Sequence, residues 1–337
     1  MIPAVGSGLA SMARTGQLER LFVHLGRYAE AFEVSYVTWG DPDEEARLWK
    51  PFHEQTDARL VQARGWRVPT GGYDLVRSMN LLGTLPALLS GTPVVMSYGA
   101  DYPRIAAIHG RPAWKWRALR AVAVRRARAV LVSNPQLARE LRRLYPRASI
   151  IDHPNWVDPE RFRPVEGGER WTRMRPRVYY VGRLVREKHL LVGARAVQRV
   201  GARFVCVGEG PLAEDLRREG VELVGAQPWS SLPHWLADAE AFLLPSLTEG
   251  HPKALLEAMA CGVPAVVSTG VDGIPPEVAR MTAPEEMRLA EALWDLLSRE
   301  DEARALGARA RQWVVERFDI GRLMPVEVGI LREAAAR

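Results

Sequence analysis

The segment Phe242–Thr269, FLLPSLTEGHPKALLEAMACGVPAVVST, decides the fold of this chain. An apolar run ends at Pro245, a helix is predicted over Pro252–Cys261, and Gly262 follows it before a second apolar run. Proline suits the first position of a helix, and glycine suits the position just past its end. Two apolar strands joined by one helix form a βαβ unit, which indicates a parallel sheet.

Short apolar runs alternate with helical patterns over the rest of the chain, as repeated βαβ units require. The other predicted strands are Phe32–Trp39, Pro93–Tyr98, Ala129–Ser133, Ala148–His153, Arg177–Val181, Arg203–Val207 and Glu222–Gly225, besides Ala241–Pro245 and Pro264–Thr269. The apolar pattern lapses over Pro154–Arg175, which marks a domain boundary. We therefore predict an α/β chain with two doubly wound, Rossmann-like domains, residues 1–165 and 166–318, that face a crevice. Residues 319–337 are expected to form a helix that packs back on the first domain.

The composition excludes several classes of protein. The 337 residues are 47% hydrophobic and 26% charged, which is typical of a globular protein and not of a disordered or fibrous chain. The only two cysteines, Cys206 and Cys261, lack the spacing of a metal site and indicate reduced thiols. Met1–Ala13 lacks the pattern of a secretory signal, and Ser78–Ala100 is uncharged but contains too many prolines and glycines for a membrane span. We therefore expect a cytoplasmic protein that needs no metal ion.

The net charge of +6 is unevenly placed along the chain. Arg104–Arg147 alone carries eleven Arg, one Lys and a single acid, Glu140. Such a density favours phosphates, acidic lipid headgroups or another polyanion. On a helix these charges fall all round, so no amphipathic face is predicted. We expect a peripheral contact of Arg104–Arg147 with the inner face of an anionic membrane, and no nucleic acid; the alternative is an arginine-rich, solvated surface.

The segment that decides the fold also contains candidate site residues. A helix start that follows a strand favours phosphate, because exposed N–H groups and the positive end of the helix dipole meet there. The residues at this start are Gly250, His251, Pro252 and Lys253. Glu249 lies before the helix and Glu257 inside it, so the two carboxylates can reach different parts of one elongated ligand. Glu257 can accept two hydrogen bonds from vicinal hydroxyls such as those of ribose. The alternative is a capping acid and a solvated helix acid.

A second candidate stretch is Val178–His189, VYYVGRLVREKH. It predicts a strand that ends at Gly182, where a ligand can approach the backbone closely. Arg183 and Lys188 follow, and together they can neutralise a departing diphosphate. The alternative is a solvated basic turn. Against that alternative, the chain has only four lysines among its 46 basic residues, and two of them, Lys188 and Lys253, fall in these short stretches.

Two further motifs are weaker. Gly208–Ala213, GEGPLA, formally satisfies GxGxxA, but the next predicted strand does not end on an acid and Pro211 lies in the turn, so a tight loop is predicted instead of a dinucleotide site. Asp41-Pro42-Asp43 has the spacing of a metal-binding DxD, but it opens the acidic run DPDEE, which is typical of a solvated turn and helix start.

Several of these motifs resemble, in order and spacing, the retaining GT-B glycosyltransferases of family 4. The motifs are EGHPKALLE with its two glutamates, AMACGVPAVVST, VGRLVREKH, VGEGP, and NWVDPERFRP at Asn155–Pro164. They cover Pro154 to Thr269 closely, whereas the first half matches mainly through TGQLER at Thr15–Arg20 and VLVSNP at Val130–Pro135. The resemblance implies the GT-B fold, a nucleotide-sugar donor on the C-terminal domain and an acceptor held mostly by the N-terminal one.

The resemblance also implies roles for individual residues. Arg183 and Lys188 would hold the donor diphosphate, with Gly182 beside them, and Glu257 would hold the ribose. Glu249 would face the transferred sugar together with the backbone at the helix start, Gly250, His251, Pro252 and Lys253. Gly16 would mark an N-terminal glycine loop near the same diphosphate. No metal and no other cofactor is implied.

Three features depart from the family pattern. Trp156 stands where the family usually has a glycine. After Gly273-Ile274-Pro275 the chain has an additional proline, Pro276, and it lacks the Gly-Leu-Val segment that usually follows in the family. No residue is identified as the acceptor-side histidine of the family, because the loop after Pro93–Tyr98 reads Gly99-Ala100-Asp101-Tyr102. Asp101, just past a strand end, is therefore our candidate for contact with the acceptor or the reacting sugar. Its alternative role is the N-cap of the next helix.

We expect a retaining hexosyltransferase that moves a hexose from a UDP- or GDP-sugar to a hydroxyl of a glycan or lipid-linked acceptor. One alternative is a GT-B sugar-nucleotide epimerase. Another is a non-catalytic protein that binds anionic glycans or lipids on the same fold.

Overall fold

A computed structural model of the chain describes residues 1–165, 171 and 174–336. It contains two compact units: unit 1 comprises Met1–Pro154 and the residues from Met324 onward, and unit 2 comprises Asn155–Leu323. The first division falls at Pro154, before the boundary that the sequence suggested at residue 165, because the connecting segment is fixed to unit 2. The Val157 amide donates to the Phe318 carbonyl (2.8 Å), and the rings of Phe162 and Trp229 lie 5.4 Å apart.

Unit 1 contains six short parallel strands, seven complete helices and, from Met324 onward, most of an eighth helix. The strands are β1 (Ser35–Thr38), β2 (Arg59–Gln62), β3 (Val76–Ser78), β4 (Val94–Ser97), β5 (Ala129–Val132) and β6 (Ile150–Asp152). The helices are α1 (Leu9–Arg14), α2 (Leu18–Ala29), α3 (Pro42–His53), α4 (Leu81–Ala87), α5 (Tyr102–Ile108), α6 (Ala113–Arg126), α7 (Pro135–Leu144) and, after unit 2 in the chain, the long α14 (Ile320–Ala336).

The strands of unit 1 pair as β1–β2 and as β3–β4–β5–β6. Ile2 connects the two sheets: its amide donates to the Arg77 carbonyl (2.9 Å), and the Met1 carbonyl accepts from the Val37 amide (2.9 Å). Strand order therefore reverses at Ile2, as it does in a doubly wound sheet.

Unit 2 contains one six-stranded parallel sheet with helices between its strands. The strands are β7 (Arg177–Val181), β8 (Arg203–Val207), β9 (Glu222–Gly225), β10 (Ala241–Leu244), β11 (Ala265–Ser268) and β12 (Arg280–Thr282). The helices are α8 (Leu190–Arg199), α9 (Ala213–Arg218), α10 (Leu232–Ala237), α11 (Lys253–Ala260), α12 (Glu286–Leu297) and α13 (Glu300–Phe318). The spatial order β12-β11-β10-β7-β8-β9 is that of a doubly wound sheet.

All nine strands that the sequence predicts are present, and the three strands that it missed are short or sparsely apolar. Strand β3 has only three residues, and one of them is the charged Arg77. The uncharged segment Ser78–Ala100 forms the helix α4 and the buried strand β4. Among the described residues, no helix is both long enough and apolar enough to cross a bilayer.

A buried carboxylate fastens α14 within unit 1. The side chain of Glu327 is 1% exposed; one oxygen accepts from Arg77 Nε (2.8 Å) and from the Tyr28 hydroxyl (2.6 Å). The other oxygen lies 2.9 Å from His153 Nε2 and 3.6 Å from His24 Nε2. Burial alone would raise the pKa of Glu327, but the Arg77 charge and the histidine hydrogen bonds hold this pKa well below its usual value. Glu327 is therefore ionised and compensates the buried guanidinium.

Replacing this carboxylate tests whether it holds unit 1 together. Glu327→Gln leaves the Arg77 charge buried without compensation, so we expect a loss of about 3–5 kcal/mol in the free energy of unfolding. Urea titration measures the loss. Glu333→Gln, at an exposed position of the same helix, is the control and should change stability by less than about 0.5 kcal/mol. Equal stability of the two variants would contradict this role of Glu327.

Candidate functional site

The strand order of unit 2 places the candidate site at one end of its sheet. Strand β7 pairs with β10, with Val178 opposite Ala241 and Tyr179 opposite Phe242. The order of the strands reverses between these two, and ligands of doubly wound sheets bind outside the carboxyl ends of the strands at such a point. The loops that leave β7 and β10 there contain Gly182–His189 and Pro245–Pro252.

The loop after β7 depends on glycine. Gly182 has φ +148°, and a Cβ atom there would lie 2.7 Å from the Tyr180 hydroxyl. The Gly208–Gly210 turn after β8 packs against the same loop, because a Cβ on Gly208 would lie 2.1 Å from the Gly182 carbonyl oxygen. The Leu184 amide donates to the Glu209 carbonyl (2.9 Å). These glycines form a tight turn, as the sequence predicted.

The two cations of this loop have different environments. The side chain of Arg183 is 71% exposed and lies 3.8 Å from the buried carboxylate of Glu187. The side chain of Lys188 is only 13% exposed, and its ammonium forms an ion pair with the carboxylate of Glu249. The alternative of a solvated basic turn is therefore wrong for Lys188, whose charge is held at a fixed position.

Glu249 is fixed by its own backbone as well as by Lys188. Its amide donates to the Gly270 carbonyl (2.9 Å), and its carbonyl accepts from the Asp272 amide (3.1 Å). A Cβ on Gly270 would lie 2.3 Å from the Ser246 carbonyl oxygen, so the loops after β10 and β11 need this close approach. The Lys188–Glu249 pair thus joins the two loops on either side of the point where strand order reverses.

Helix α11 begins one residue later than predicted, because Pro252 is the N-cap and Lys253 is the first helical residue. Gly250 and Pro252 are buried, and Lys253 is exposed. His251 is 6% exposed, and its ring packs 4.6 Å from that of Phe318. Burial lowers the pKa of His251 to about 4, so its imidazole is uncharged at neutral pH. The residues before α11 thus contribute backbone and a neutral ring to this helix start.

Glu257 is buried on the inner side of α11. Its exposed fraction is 3%, and Oε1 accepts a hydrogen bond from Trp229 Nε1 (2.7 Å). The alternative of a solvated helix acid is therefore wrong. A carboxylate has about four acceptor positions, and the indole N–H uses one of them.

Trp229 is a candidate site residue that the sequence did not indicate. It lies in the short turn between β9 and α10 and is 1% exposed. Trp156, which replaces the glycine usual in the family, packs edge-on against it with ring centroids 6.3 Å apart. The guanidinium of Arg161 covers its ring at 4.5 Å. The presence of a tryptophan gives no sign of which acceptor its N–H will meet, so no sequence signal could have identified this bond.

Two predicted site residues, Gly16 and Asp101, lie in unit 1. Gly16 has φ +69° in the turn between α1 and α2. Asp101 is the N-cap of α5, where its side chain accepts from the Arg104 amide (3.3 Å). Capping is therefore shown for Asp101, and contact with a ligand stays a prediction for both residues.

The acidic run after β1 is a helix start, as expected, but it is not wholly solvated. Asp41 caps α3 by accepting from the Glu44 amide (3.0 Å). Glu45 is buried, and its carboxylate accepts from the amides of Leu9 (2.7 Å) and Ala10 (3.0 Å) at the start of α1. Within the part of the chain that the structure describes, no group of three or more His, Cys, Asp or Glu is arranged to hold a metal ion.

Comparison with known proteins supports this interpretation of unit 2. Residues 175–299 match the family described as glycosyl transferases group 1. A putative teichuronic acid biosynthesis glycosyltransferase, TuaC, of Bacillus subtilis is 28% identical over 67% of this chain and 64% of its own length. A GDP-mannose-dependent α-(1-6)-phosphatidylinositol monomannoside mannosyltransferase of Mycobacterium tuberculosis is 32% identical over 51% of this chain and 53% of its own length. The chain thus spans less than two thirds of these relatives.

Solved structures show the same fold over nearly the whole chain. Sucrose-phosphate synthase from Thermosynechococcus elongatus has a TM-score of 0.76 at 21% identity and covers all of this chain and 96% of its own. HepE of Anabaena, solved with UDP and glucose, has a TM-score of 0.76 at 16% identity and covers 95% of this chain and 98% of its own. Residues 175–299 thus match the group 1 glycosyltransferases, and the fold of the chain is GT-B. The predicted resemblance to glycosyltransferases and the predicted fold class are confirmed, and the retaining mechanism stays a prediction.

The bond between Trp229 and Glu257 can be measured as a contribution to stability. Trp229→Phe keeps an aromatic ring but removes the N–H donor and part of the buried indole, so we expect a loss of at least about 1.5–3 kcal/mol in the free energy of unfolding, as for a hydrogen bond to a charged group, with the lost volume adding to it. A double-mutant cycle with Glu257→Ala, which removes the acceptor, isolates the pairwise energy. Trp235→Phe, in the adjacent helix α10, is the matched control and should cost less. A coupling energy near zero would show that Trp229 does not hold this carboxylate.

Proposed function

We propose that this chain is a retaining hexosyltransferase that uses a UDP- or GDP-hexose as donor and a hydroxyl of a glycan or lipid-linked molecule as acceptor. The observation that carries the proposal is the arrangement in unit 2, where the Lys188–Glu249 pair, the start of α11 and the buried Glu257 follow the carboxyl ends of its strands. The names of the relatives support it, since they include a GDP-mannose-dependent mannosyltransferase with a phosphatidylinositol-based acceptor.

Different residues would hold the ribose, the diphosphate and the hexose of the donor. Glu257, positioned by Trp229, accepts hydrogen bonds from the ribose hydroxyls. Lys188 and Arg183 neutralise the diphosphate, and the N-terminus of α11 adds the positive end of its dipole and its free N–H groups. Glu249 and the backbone of Gly250 face the hexose. Glu249 already holds the Lys188 side chain in place. The side chain therefore loses little conformational freedom when the donor binds.

The reaction would proceed on one face of the sugar. The bond between the anomeric carbon and the phosphate oxygen breaks, and the acceptor oxygen bonds to the anomeric carbon from the same side. The acceptor proton passes to the departing phosphate oxygen, so no protein nucleophile is required. Negative charge builds on the diphosphate as the bond breaks, and Arg183 and Lys188 stabilise that charge more in the transition state than in the bound donor.

The acceptor side of the proposal belongs to unit 1. Asp101, at the carboxyl end of β4, and the glycine turn at Gly16 remain our candidates for contact with the acceptor and the donor diphosphate. The basic segment Arg104–Arg147 fits an acceptor that is lipid-linked or lies near a membrane. We therefore propose that the protein works in the cytoplasm, at the inner face of the membrane.

Nucleotide sugars and three variants test the proposal. The melting temperature of the protein is measured with a panel of UDP- and GDP-sugars, and the product of any stabilising sugar is identified by mass analysis with candidate acceptors. Lys188→Ala and Glu257→Gln should lower the rate of transfer by about 100-fold or more. Lys50→Ala, which removes one of the other lysines at an exposed pair with Glu54, should leave the rate unchanged.

The alternatives predict different products. A GT-B epimerase would release free nucleotide without any acceptor, and a non-catalytic binder would show no stabilisation by nucleotide sugars. Full activity in both site variants would remove the assignment of these residues. Inversion of the anomeric centre, read by NMR of the product, would contradict the retaining mechanism.

A further inference from the structure

Helix α6 has apolar side chains on two opposite faces. The inner face packs into the core of unit 1 through Ala123 and Val124. The partly buried side chains of Trp116, Leu119 and Ala127 pack against the same core. The outer face exposes Trp114, whose exposed fraction is 65%, and Val122, with 46%, and Ala118 lies between them. Trp114, Ala118 and Val122 follow one another at intervals of four residues, so they form one strip along the helix. The sequence predicted no amphipathic face because the charges fall all round the helix, and the two apolar faces become apparent only from the burial of each side chain.

The outer strip is bordered by positive charge. Lys115 lies with its ammonium 5.7 Å from the Trp114 ring, and Arg111, Arg117, Arg125 and Arg126 are exposed around the strip. Glu140 is the single acid between Arg104 and Arg147, and its carboxylate pairs with Arg120 at 3.1 Å. Arg120 is only 5% exposed, on the inner face of the helix. The segment's one negative charge therefore faces away from the outer strip.

We propose that the outer face of α6, defined by Trp114, Ala118 and Val122 with Lys115 and the surrounding arginines, docks unit 1 on an anionic lipid bilayer. Arginine and lysine are attracted to anionic headgroups, and tryptophan prefers the boundary between headgroups and acyl chains. The helix would lie in the plane of the interface and insert only its apolar strip.

A soluble polyanion is the other partner that the charge could serve, but it does not account for the strip. Phosphate or sulfate groups need only the cations, whereas the exposed indole and isopropyl groups remain in water in such a complex. A bilayer surface matches both parts of the face, because headgroups meet the cations and acyl chains meet Trp114 and Val122. This surface belongs to unit 1 and rests on the membrane contact proposed above for Arg104–Arg147, and its binding to lipid is tested without nucleotide.

Vesicle flotation tests the surface with the full chain. One set of vesicles contains phosphatidylcholine alone, and the other contains an equimolar mixture with phosphatidylglycerol. We expect binding to the anionic vesicles and weak or no binding to the neutral ones. The triple variant Arg111→Gln, Lys115→Gln and Arg117→Gln should bind about 100-fold more weakly, since each charge near an anionic leaflet contributes about a fivefold factor. Trp114→Ser with Val122→Ser should bind about tenfold more weakly at unchanged charge.

Matched controls exist in unit 2. Trp294 is 64% exposed, so Trp294→Ser removes an equally exposed indole, and Arg217→Gln, Arg218→Gln and Arg288→Gln together remove three exposed charges. Both controls should float like the unchanged protein. Unchanged melting temperatures show that the α6 variants are folded.

Two results would overturn the proposal. The first is the absence of binding to the anionic vesicles. The second is a Trp114→Ser, Val122→Ser variant that binds them fully while heparin competes completely, because that result identifies a general polyanion surface. Neither result bears on sugar transfer in solution, which is measured separately with a soluble acceptor.

Discussion

The pairing of β7 with β10 is the constraint on which the site in unit 2 depends. These strands are separated in sequence by two βα units, yet they are neighbours in the sheet, and the order of strands reverses between them. The helices on the two sides of this point connect in opposite directions, which leaves the ends of both strands uncovered. The loops after β7 and β10 can then meet, and the ion pair between Lys188 and Glu249 joins them. Glycines at 182, 208 and 270 make that approach sterically feasible.

The electrostatics of the site follow from burial more than from net charge. Unit 1 contains the densely basic segment, whereas the cations proposed to act on the donor lie in unit 2. The Lys188 side chain is 13% exposed and its ammonium is paired with a carboxylate, so it lies at a fixed place and in a lower dielectric than the exposed arginines. The neutral imidazole of His251 and the backbone of Gly250 complete this end of the sheet without adding charge. The net charge of the chain thus locates its basic surface in unit 1, whereas the burial of individual side chains identifies the candidate site in unit 2.

Much of the fold could be predicted from the sequence because it rests on local patterns. Apolar runs bounded by glycine and proline identified nine strands and the helix after β10. The residues that escaped prediction depend on partners distant in the chain. Arg77 is charged yet lies in a buried strand, because Glu327, 250 positions later, compensates it. Glu45 was placed in a solvated run, but the amides at the start of α1 bind its carboxylate.

The candidate site shows the same limit. Motif spacing identified Lys188, Glu249 and Glu257, because their separation along the chain is fixed by the βαβ unit. Motif spacing could not identify Trp229, because the hydrogen bond from its indole N–H to Glu257 joins residues that are 28 positions apart. It also could not show that Glu257 is buried and not a surface acid. The outer face of α6 was hidden for a related reason: its strip is visible only once the buried face of the same helix is known.

A crystal structure of the chain with UDP or GDP shows whether the end of the sheet in unit 2 holds a nucleoside diphosphate. We expect ribose hydroxyls within hydrogen-bond distance of Glu257, with Trp229 still bonded to it, and a diphosphate beside Lys188 and the start of α11. A nucleotide bound elsewhere in the chain, with Lys188 and Glu257 unchanged, would contradict this expectation.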